Sequence, residues 1–331
     1  MVDVVLFISL IVSFTLTLAL TPYWIKRAKN AGLIGKDIHK YEERKVAEIG
    51  GLPVMMGVIF GILAYVATKT FIFTSTQVNA TIMASLVTVL LITIIGLIDD
   101  ILGWKIGIKQ WQKPILTFLA ALPLAVLNAG VSEIYVPLIG AINLGLFYPL
   151  LFVPLMITVY SNGFNMLAGY NGLEAGQGII MLSALGFVVW QTGLGWVAMI
   201  AACAVMSLIA FFWYNKYPSK IFPGDTLTYP IGALIAIVAI LGNAEKFAII
   251  IFIPYVIEFL LKLRGRFKKE SFAKVDEFGH LHLRYQRFFG LEHLMLYLIS
   301  KVKKVREFEV VLGLWSIELL FVLLGLFLVF M

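Results

Sequence analysis

The segment ATIMASLVTVLLITIIGLIDD, residues 80–100, decides the class of fold to which this chain belongs. Its apolar run from 80 to 98 contains no charged residue and is close to the length of about 20 residues that a helix needs to cross a bilayer. Similar runs recur along the whole chain, in which 61% of the residues are hydrophobic and 14% are charged. This composition excludes a water-soluble globular fold, so lipid must surround most of the chain.

Lipid offers no hydrogen bonds to the backbone, so only helical bundles and closed β-barrels span membranes. The alternating pattern of barrel strands is absent, and the sequence therefore predicts an all-α, polytopic membrane helical bundle. The chain reads as a single integral membrane domain, residues 1–331, with a long polar connection at 262–307. We predict about ten transmembrane helices, at residues 2–20, 50–68, 80–98, 114–131, 147–161, 176–190, 195–213, 226–242, 246–261 and 308–331.

The basic residues predict how this bundle is oriented, because Lys and Arg near membrane spans stay preferentially in the cytoplasm. Of the 26 Lys and Arg residues, only Lys69 and Lys246 fall on even-numbered connections between spans. Both termini are therefore expected outside, and the 262–307 connection is expected in the cytoplasm. The net charge of +7 suits anionic membrane lipid as a partner, and no basic-aromatic module for binding nucleic acid is visible.

Unusual polar residues cluster at the predicted cytoplasmic ends of the spans, beginning with the adjacent acids Asp99 and Asp100. They close the third span, where the helix dipole disfavours negative charge. We expect a positive partner, either a lysine of the following loop (Lys105, Lys109 or Lys113) or a divalent cation such as Mg²⁺. A solvated helix end with salt bridges to the loop also explains the pair.

A second polar group lies in YSNGFNMLAGYNGLEAGQG, residues 160–178, which holds Asn162, Asn165, Asn171 and Glu174. The glycines of this segment let the backbone approach a ligand closely. Its amides offer paired donors and acceptors that suit a uracil edge, sugar hydroxyls or a metal ion. A tight glycine-rich turn capped by asparagine is the structural alternative.

Two further polar positions flank other spans. Asp225, in KIFPGDTLTYPIGA (220–233), begins the eighth span and suits both a metal ligand and a helix N-cap. Phe222 just before it offers a flat apolar surface on which a base can stack. Glu48 lies beside glycines at the membrane edge of the first connection.

The last group is FGHLHLRYQR, residues 278–287, in the long basic connection. His280 and His282 share one face of a strand-like segment, and with Arg284 they suit a diphosphate better than zinc. A basic loop that faces the membrane also explains this segment. Together, carboxylates, amides and cations are the groups that metal-assisted phosphoryl transfer requires.

On these residues the chain resembles the polyprenyl-phosphate N-acetylhexosamine-1-phosphate transferase superfamily. NMLAGYNGLEAGQG (165–178) and FPGDTLTYPIG (222–232) are similar to two signatures of its dolichyl-phosphate N-acetylglucosamine-phosphotransferase branch, which is eukaryotic and archaeal. The resemblance covers nearly the whole chain in motif order. It departs at Gly103, where relatives often carry Asp or Asn three positions after the paired acids.

The resemblance implies transfer of N-acetylglucosamine 1-phosphate, or a related N-acetylhexosamine 1-phosphate, from a UDP-sugar to a polyprenyl or dolichyl phosphate. UMP is released, and the prenyl-diphosphate sugar begins the assembly of N-glycans for protein glycosylation. The resemblance also implies a ten-helix protein of the cell membrane or endoplasmic reticulum membrane whose active site faces the cytoplasm. It leaves a homodimer open, along with the choice between direct attack and a covalent aspartyl-phosphate route.

The same resemblance implies roles for individual residues. Asp225 and Asn165 would bind Mg²⁺, or Mn²⁺ in its place, and Asp99 and Asp100 would be the catalytic acids at the reacting phosphates. Lys109 would contact phosphate. The other implied substrate-binding residues are Asn171 and Phe222 for uracil, and Glu48 with His280, His282 and Arg284 for the sugar and diphosphate. Asn162 and Glu174 are further substrate-binding candidates because they lie in the same glycine-rich loop.

Two alternatives compete with this interpretation. A transporter or lipid flippase is the alternative from another class, because intramembrane polar clusters also occur in those proteins. The predicted clusters, however, lie at one membrane face rather than at the midplane. A transferase that uses a CDP-activated alcohol is disfavoured because the closely spaced DG-AR-G-D-D pattern of that family is missing.

Overall fold

The computed structural model describes residues 2–42, 44–136, 140–269 and 271–331. Within them the chain forms a bundle of helices, and a π-helical turn at Tyr148–Phe152 leads directly into the sixth. The helices are α1 (Val2–Asn30), α2 (Gly51–Phe71), α3 (Asn79–Ile106), α4 (Gln112–Ala120), α5 (Leu122–Val126), α6 (Val153–Met166), α7 (Leu173–Gln191), α8 (Gly195–Asn215), α9 (Asp225–Leu241), α10 (Glu245–Ile251), α11 (Ile253–Arg264), α12 (Leu291–Ser300) and α13 (Glu307–Phe330).

Short antiparallel hairpins occupy three of the connections between helices, and the sequence did not predict them. In the first, β1 (Ile34–Lys36) pairs with β2 (Lys45–Ala47), so that Ile34 lies opposite Ala47. In the second, β3 (Glu133–Val136) pairs with β4 (Gly140–Asn143). In the long basic connection, β5 (Lys274–Val275) pairs with β6 (Leu281–His282).

Each predicted membrane span coincides with one helix or with two consecutive helical segments. The fourth span is divided between α4 and α5, and the ninth between α10 and α11. Six helices in the described part of the chain are long and apolar enough to cross a membrane, namely those at Val4–Asn30, Gly51–Phe71, Asn79–Gly103, Leu173–Gln191, Gly195–Asn215 and Glu307–Phe330. The membrane helical bundle is confirmed, whereas the count of ten spans and the outside location of both termini stay predictions.

Helix α9 forms the centre of the bundle. Every residue from Thr226 to Leu241 is buried, and the helix packs against α2, α3, α6, α7 and α8. A helix that is apolar on all sides must be surrounded by other helices or by lipid, and here protein surrounds it. Its first residue, Asp225, is therefore held in place by several neighbouring elements at once.

Glycines allow the neighbouring helices to approach α9 closely. A Cβ atom added at Gly51 of α2 would lie 2.2 Å from the backbone nitrogen of Leu227. A Cβ added at Gly96 of α3 would lie 2.5 Å from the carbonyl oxygen of Asp225. Because both contacts are with backbone atoms near the start of α9, these two glycines fix where the first turn of that helix lies.

Small residues also bring α1 and α2 together. A Cβ added at Gly57 would lie 1.9 Å from Oγ1 of Thr17, and one added at Gly61 would lie 1.8 Å from Oγ of Ser13. In lipid there is no hydrophobic force between helices, so close van der Waals packing of small residues must hold them together. These contacts anchor the first two helices beside α8.

We predict that Gly51→Ala destabilises the protein by roughly 1–3 kcal/mol, because the added methyl group overlaps the backbone of α9. Gly195→Ala is the matched control, since Gly195 also begins a helix and its added Cβ would lie 3.5 Å from the Trp190 ring. Thermal unfolding of both variants in detergent measures the difference. Equal unfolding temperatures for the two variants would contradict the packing described above.

Candidate active site

The N-terminus of α9 is capped by Asp100, which belongs to α3. Its Oδ1 accepts a hydrogen bond from the backbone N–H of Asp225 at 2.9 Å, and its Oδ2 accepts from the N–H and the hydroxyl of Thr226 at 2.9 and 2.5 Å. Backbone N–H groups at a helix start lack partners within the helix, and the helix dipole favours a negative group there. The alternative that Asp225 caps its own helix is therefore wrong.

Lys113 of α4 lies between two carboxylates of other helices. Its Nζ donates to Oδ2 of Asp99 at 2.7 Å and to Oδ2 of Asp225 at 2.8 Å. The positive partner expected for the paired acids is thus Lys113, which joins α3, α4 and α9. The Lys109 side chain is exposed, and the Lys105 side chain is not among those that the structure describes.

A break in α3 just after the acids makes this arrangement possible. The helix was expected to end at Asp100, but it continues to Ile106 with a non-helical Gly103 at φ 69°. Glycine adopts positive φ without the penalty that a Cβ imposes. After the break the chain turns back, and the N–H of Ile108 donates to Oδ1 of Asp99 at 2.6 Å. The departure from the family pattern at Gly103 therefore has a backbone role.

Asn165 brings an amide from α6 to the same helix start. Its Oδ1 accepts a hydrogen bond at 2.7 Å from the hydroxyl of Thr228, which lies one turn after Asp225. Tyr229 lies close to both Lys113 and Asn165, and Lys113 is 5.5 Å from the centre of its ring. The structure thus brings Asp99 and Asp225 together on Lys113, and it holds Asn165 at the same helix start through Thr228. The sequence predicted that these two acids and this amide lie near one another.

Asn162 lies one turn earlier on α6 but points elsewhere. Its Nδ2 donates to Oγ1 of Thr117 at 3.0 Å and to the carbonyl oxygen of Thr158 at 2.9 Å. These bonds join α6 to α4. A substrate-binding role for Asn162 stays a prediction.

Glu48 and Phe222 border the acids on the side of the first connection. Burial, and next the negative charge of Asp100, raise the pKa of Glu48 above its usual value. The half-buried Phe222 is anchored through its backbone, since its N–H donates to the Ala47 carbonyl and its own carbonyl accepts from Gly50, both at 2.8 Å. An apolar ring and a carboxyl group thus lie beside the start of α9.

A second polar group, here called the Asn171 cluster, consists of Asp37, His39, Lys40, Asn171 and Glu307. The backbone N–H of Asn171 donates to Oε1 of Glu307 at 2.7 Å, and its Nδ2 donates to Oδ2 of Asp37 at 3.1 Å. Lys40 forms ion pairs with Glu307 and, at 3.5 Å, with Asp37. Donor atoms of Asp37, His39 and Glu307 lie within 4.8 Å of one another, and Lys40 supplies the positive charge that the two carboxylates need.

Sequence analysis missed four members of this cluster, Asp37, His39, Lys40 and Glu307. Glu307 carried a usable signal, because it is an acid at the first position of a membrane helix, like Asp225. The other three carried none, since an Asp, a His and a Lys in a basic connection are ordinary solvated residues.

Glu174 supports the glycine-rich loop that carries Asn171. It is buried at the start of α7, and its Oε1 accepts a hydrogen bond from the N–H of Gly169 at 2.7 Å. Its other oxygen has no hydrogen-bond partner within the described part of the chain. A substrate-binding role for Glu174 stays a prediction, and the observed bond is to its own loop.

The two histidines of the basic connection share one partner. His280 Nδ1 and His282 Nε2 lie 3.2 and 3.1 Å from Oδ2 of Asp276, so they face the same side of the β5–β6 hairpin, as predicted. Hydrogen bonds from His282 and then from His280 hold the pKa of Asp276 well below its usual range. Arg284, next along the chain, is near enough to lower the pKa of His39. The basic segment therefore reaches the Asn171 cluster.

Comparison with known proteins places this geometry in context. A family model described as glycosyl transferase family 4 matches residues 82–243. A protein of Saccharolobus solfataricus with the provisional name UDP-N-acetylglucosamine–dolichyl-phosphate N-acetylglucosaminephosphotransferase is 38% identical over 323 residues, which cover 97% of this chain and 96% of the relative. A Sulfolobus acidocaldarius protein with the same provisional name is 34% identical, covering 96% and 94%.

A more distant relative has a bacterial name. The phospho-N-acetylmuramoyl-pentapeptide-transferase of Halalkalibacterium halodurans is 30% identical over 354 residues, which cover 99% of this chain and 98% of the relative. All three relatives are named as transferases, and the transporter alternative gains no support from them.

We predict that Lys113→Met destabilises the protein by roughly 1–3 kcal/mol, because it leaves two partly buried carboxylates without their shared donor. Lys109→Met is the control and should unfold at the wild-type temperature. Adding Asp225→Asn to Lys113→Met removes one of the two negative charges and should restore part of the lost stability. Thermal unfolding in detergent at one pH measures all four proteins, and a wild-type value for Lys113→Met would contradict the bridge.

The buried His39 makes stability depend on pH. Burial, and after it the charges of Lys40 and Arg284, lower the pKa of His39 from 6.5 to about 4. Between these values the unfolded chain binds a proton that the folded chain does not bind, so stability is full above pH 6.5 and falls as the pH drops towards 4. The loss amounts to roughly 3 kcal/mol.

His39→Phe keeps the ring that stacks on Tyr170 but cannot take up this proton. We therefore predict a smaller fall in unfolding temperature between pH 7 and pH 4.5 for this variant than for the wild type. His282→Phe, at an exposed histidine, should keep the wild-type pH dependence. Identical pH profiles for His39→Phe and wild type would show that His39 does not contribute.

Proposed function

The chain belongs to glycosyl transferase family 4, and from this membership we propose that it transfers N-acetylglucosamine 1-phosphate from UDP-N-acetylglucosamine to dolichyl phosphate. An oxygen of the dolichyl phosphate attacks the β-phosphorus of the UDP-sugar. The bond between that phosphorus and the bridging oxygen of UMP breaks, UMP leaves, and dolichyl-diphosphate N-acetylglucosamine forms. The observation that carries the proposal is the convergence at the start of α9 of Asp99 and Asp225, which share the Lys113 ammonium, with Asn165, which is bonded to Thr228.

The oxygen donors at this position fit a hard divalent cation. Asp99, Asp225 and Asn165 offer carboxylate and amide oxygens, which Mg²⁺ prefers, and the ammonium of Lys113 between the carboxylates shows that positive charge is needed there. In our proposal Asp225 and Asn165 hold Mg²⁺, or Mn²⁺ in its place. The bound cation would neutralise charge on the diphosphate oxygens.

The two adjacent acids then have different tasks. Both oxygens of Asp100 are engaged by the first amides of α9, so we assign Asp100 to positioning Asp225 rather than to proton transfer. Asp99 is held differently, by the N–H of Ile108 and by the Lys113 ammonium, and in our proposal that ammonium pairs with a phosphate oxygen when substrate binds. A lipid phosphate is largely ionised near neutral pH, since its second pKa is about 6, so Asp99 needs only to orient it or accept its last proton.

Neighbouring residues supply binding sites for the rest of the UDP-sugar. The ring of Phe222 suits stacking on uracil, and Asn171 suits hydrogen bonding to its edge. Glu48 lies close to Asp100, where a sugar hydroxyl would reach a carboxyl group. Lys109, His280, His282 and Arg284 remain candidates for the diphosphate because they are cationic groups of the same predicted membrane face.

The protein is an integral membrane protein, and we propose that its active site faces the cytoplasm. The dolichyl chain stays in the bilayer, while its phosphate reaches the helix ends where the acids lie. The one-sided distribution of Lys and Arg supports this orientation. In this proposal residues 1–331 form one transferase domain, with the 262–307 connection as its cytoplasmic loop region.

Release of UMP from UDP-N-acetylglucosamine and dolichyl phosphate, by the purified chain in detergent with MgCl₂, tests the proposal. Detergent removes the compartments that a transporter would need. We expect Asp225→Asn and Asn165→Ala to lower the rate by roughly a hundredfold or more, with unfolding temperatures showing that both fold. Excess EDTA should stop the reaction, and added Mg²⁺ should restore it.

Glu133→Gln, in the β3–β4 hairpin, is the control and should keep the wild-type rate. A wild-type chain that releases no UMP from any of a panel of UDP-sugars would overturn the proposed function. Wild-type rates for Asp225→Asn and Asn165→Ala would overturn the cation site alone.

A further inference from the structure

The amide of Asn171 is held in one orientation by two acids from distant parts of the chain. Its Nδ2 lies 3.1 Å from Oδ2 of Asp37, in the first connection, and 3.5 Å from Oε2 of Glu307, at the start of α13. A carboxylate can only accept hydrogen bonds, so the NH₂ group must face both acids. The Oδ1 acceptor of Asn171 must then face the opposite way.

Lys40 favours the acceptor form of these acids. Its ammonium forms ion pairs with both Glu307 and Asp37, and a nearby positive charge favours ionised carboxylates. A protonated carboxyl group could also donate a hydrogen bond, so it could pair with either the NH₂ group or the oxygen of the Asn171 amide. With Lys40 in place, only one orientation of Asn171 satisfies its neighbours.

The cluster is closed and rigid, unlike the acids around Lys113. The side chains of Asp37 and Glu307 are 3% and 2% exposed, whereas those of Asp99 and Asp225 are 17% and 20% exposed. His39 stacks on Tyr170, with ring centres 4.2 Å apart, next to Asn171 in the chain. Buried carboxylates that are paired with a lysine and an amide hold an orientation better than solvated ones. The Asn171 cluster is therefore suited to positioning rather than to chemistry.

We propose that Asp37 and Glu307 are positioning residues that make the site select uracil over cytosine, by presenting only the Oδ1 acceptor of Asn171 to the base. This inference rests on the proposed function, in which the site binds a uridine nucleotide. Uracil carries a donor, N3–H, that an amide oxygen accepts. Cytosine carries an acceptor at N3, which faces the same oxygen without a hydrogen bond.

Competition of UMP and CMP for the site tests this selectivity without depending on the rate of chemistry. Inhibition constants for both nucleotides are measured from the transfer of radiolabelled sugar from UDP-N-acetylglucosamine into lipid, a readout that does not require UMP itself to be detected. We expect wild type to bind UMP more tightly than CMP. The UMP-to-CMP ratio is the ratio of affinities, that is, the CMP inhibition constant divided by the UMP inhibition constant. In Asp37→Asn, Glu307→Gln and Asn171→Ala this ratio should fall about tenfold, as expected for one lost hydrogen bond, and KM for dolichyl phosphate should stay unchanged.

Glu309→Gln is the matched control, because Glu309 lies on the same turn of α13 but contacts Arg306 and Lys303. It should keep the wild-type ratio. Since both acids act through Asn171, adding Glu307→Gln to Asn171→Ala should cause no further loss of selectivity. Asn171→Ala removes no buried charge, so it also tests the inference if the acid variants fail to fold.

The outcomes separate this inference from the proposed function. An inactive wild-type chain overturns the function, whereas an active one whose variants keep the wild-type UMP-to-CMP ratio overturns the positioning role. Parallel weakening of UMP, CMP and dolichyl phosphate binding, with the ratio unchanged, would show a merely structural cluster and also overturn it.

Discussion

The bond between Asp100 and the start of α9 is the interaction on which the rest of the structure depends. A helix buried among other helices cannot leave its first N–H groups without partners, because a buried, unpaired N–H group costs free energy. Asp100 satisfies two of these groups and the hydroxyl of Thr226. It thereby fixes α3 against α9, and Asp225 comes to lie where Lys113 can bridge it to Asp99. The proposed catalytic arrangement is thus a consequence of capping one central helix.

The chain uses the same device twice, since a lysine lies between two carboxylates in each polar group. Around Lys113 the carboxylates are partly exposed, so substrate and cation can compete for them. Around Lys40 they are buried, and the lysine has no such competitor. In our interpretation this difference in exposure corresponds to a difference in role. The partly exposed carboxylates around Lys113 act at the reacting phosphates, and the buried carboxylates around Lys40 help to recognise the nucleotide. In both groups a lysine balances negative charge that would be costly to bury near lipid.

The group around Lys113 was predicted from the sequence, but the sequence left its lysine undecided among three candidates. Lys105, Lys109 and Lys113 would be equivalent candidates, spaced four residues apart, only if α3 continued unbroken through them. Gly103 ends the helical periodicity before any of the three. The backbone turn after Gly103 then returns the chain to Asp99, and Lys113 rather than Lys109 reaches the acids. The two asparagines of α6 show the same limit of prediction from sequence. Asn162 and Asn165 both lie within a conspicuous motif, but only Asn165 reaches α9.

The sequence by itself determined that the chain is a membrane helical bundle, which family it resembles, and that acids and amides gather at the ends of its helices. These properties depend on local amino-acid composition and on the free-energy cost of placing polar groups in lipid. Both can be evaluated residue by residue along the chain. Only the tertiary structure decided that Asp100 caps α9, and that Glu307 meets Asp37 and Asn171. Such contacts join residues far apart in the chain, and they are chosen by how helices pack and where glycines let them touch.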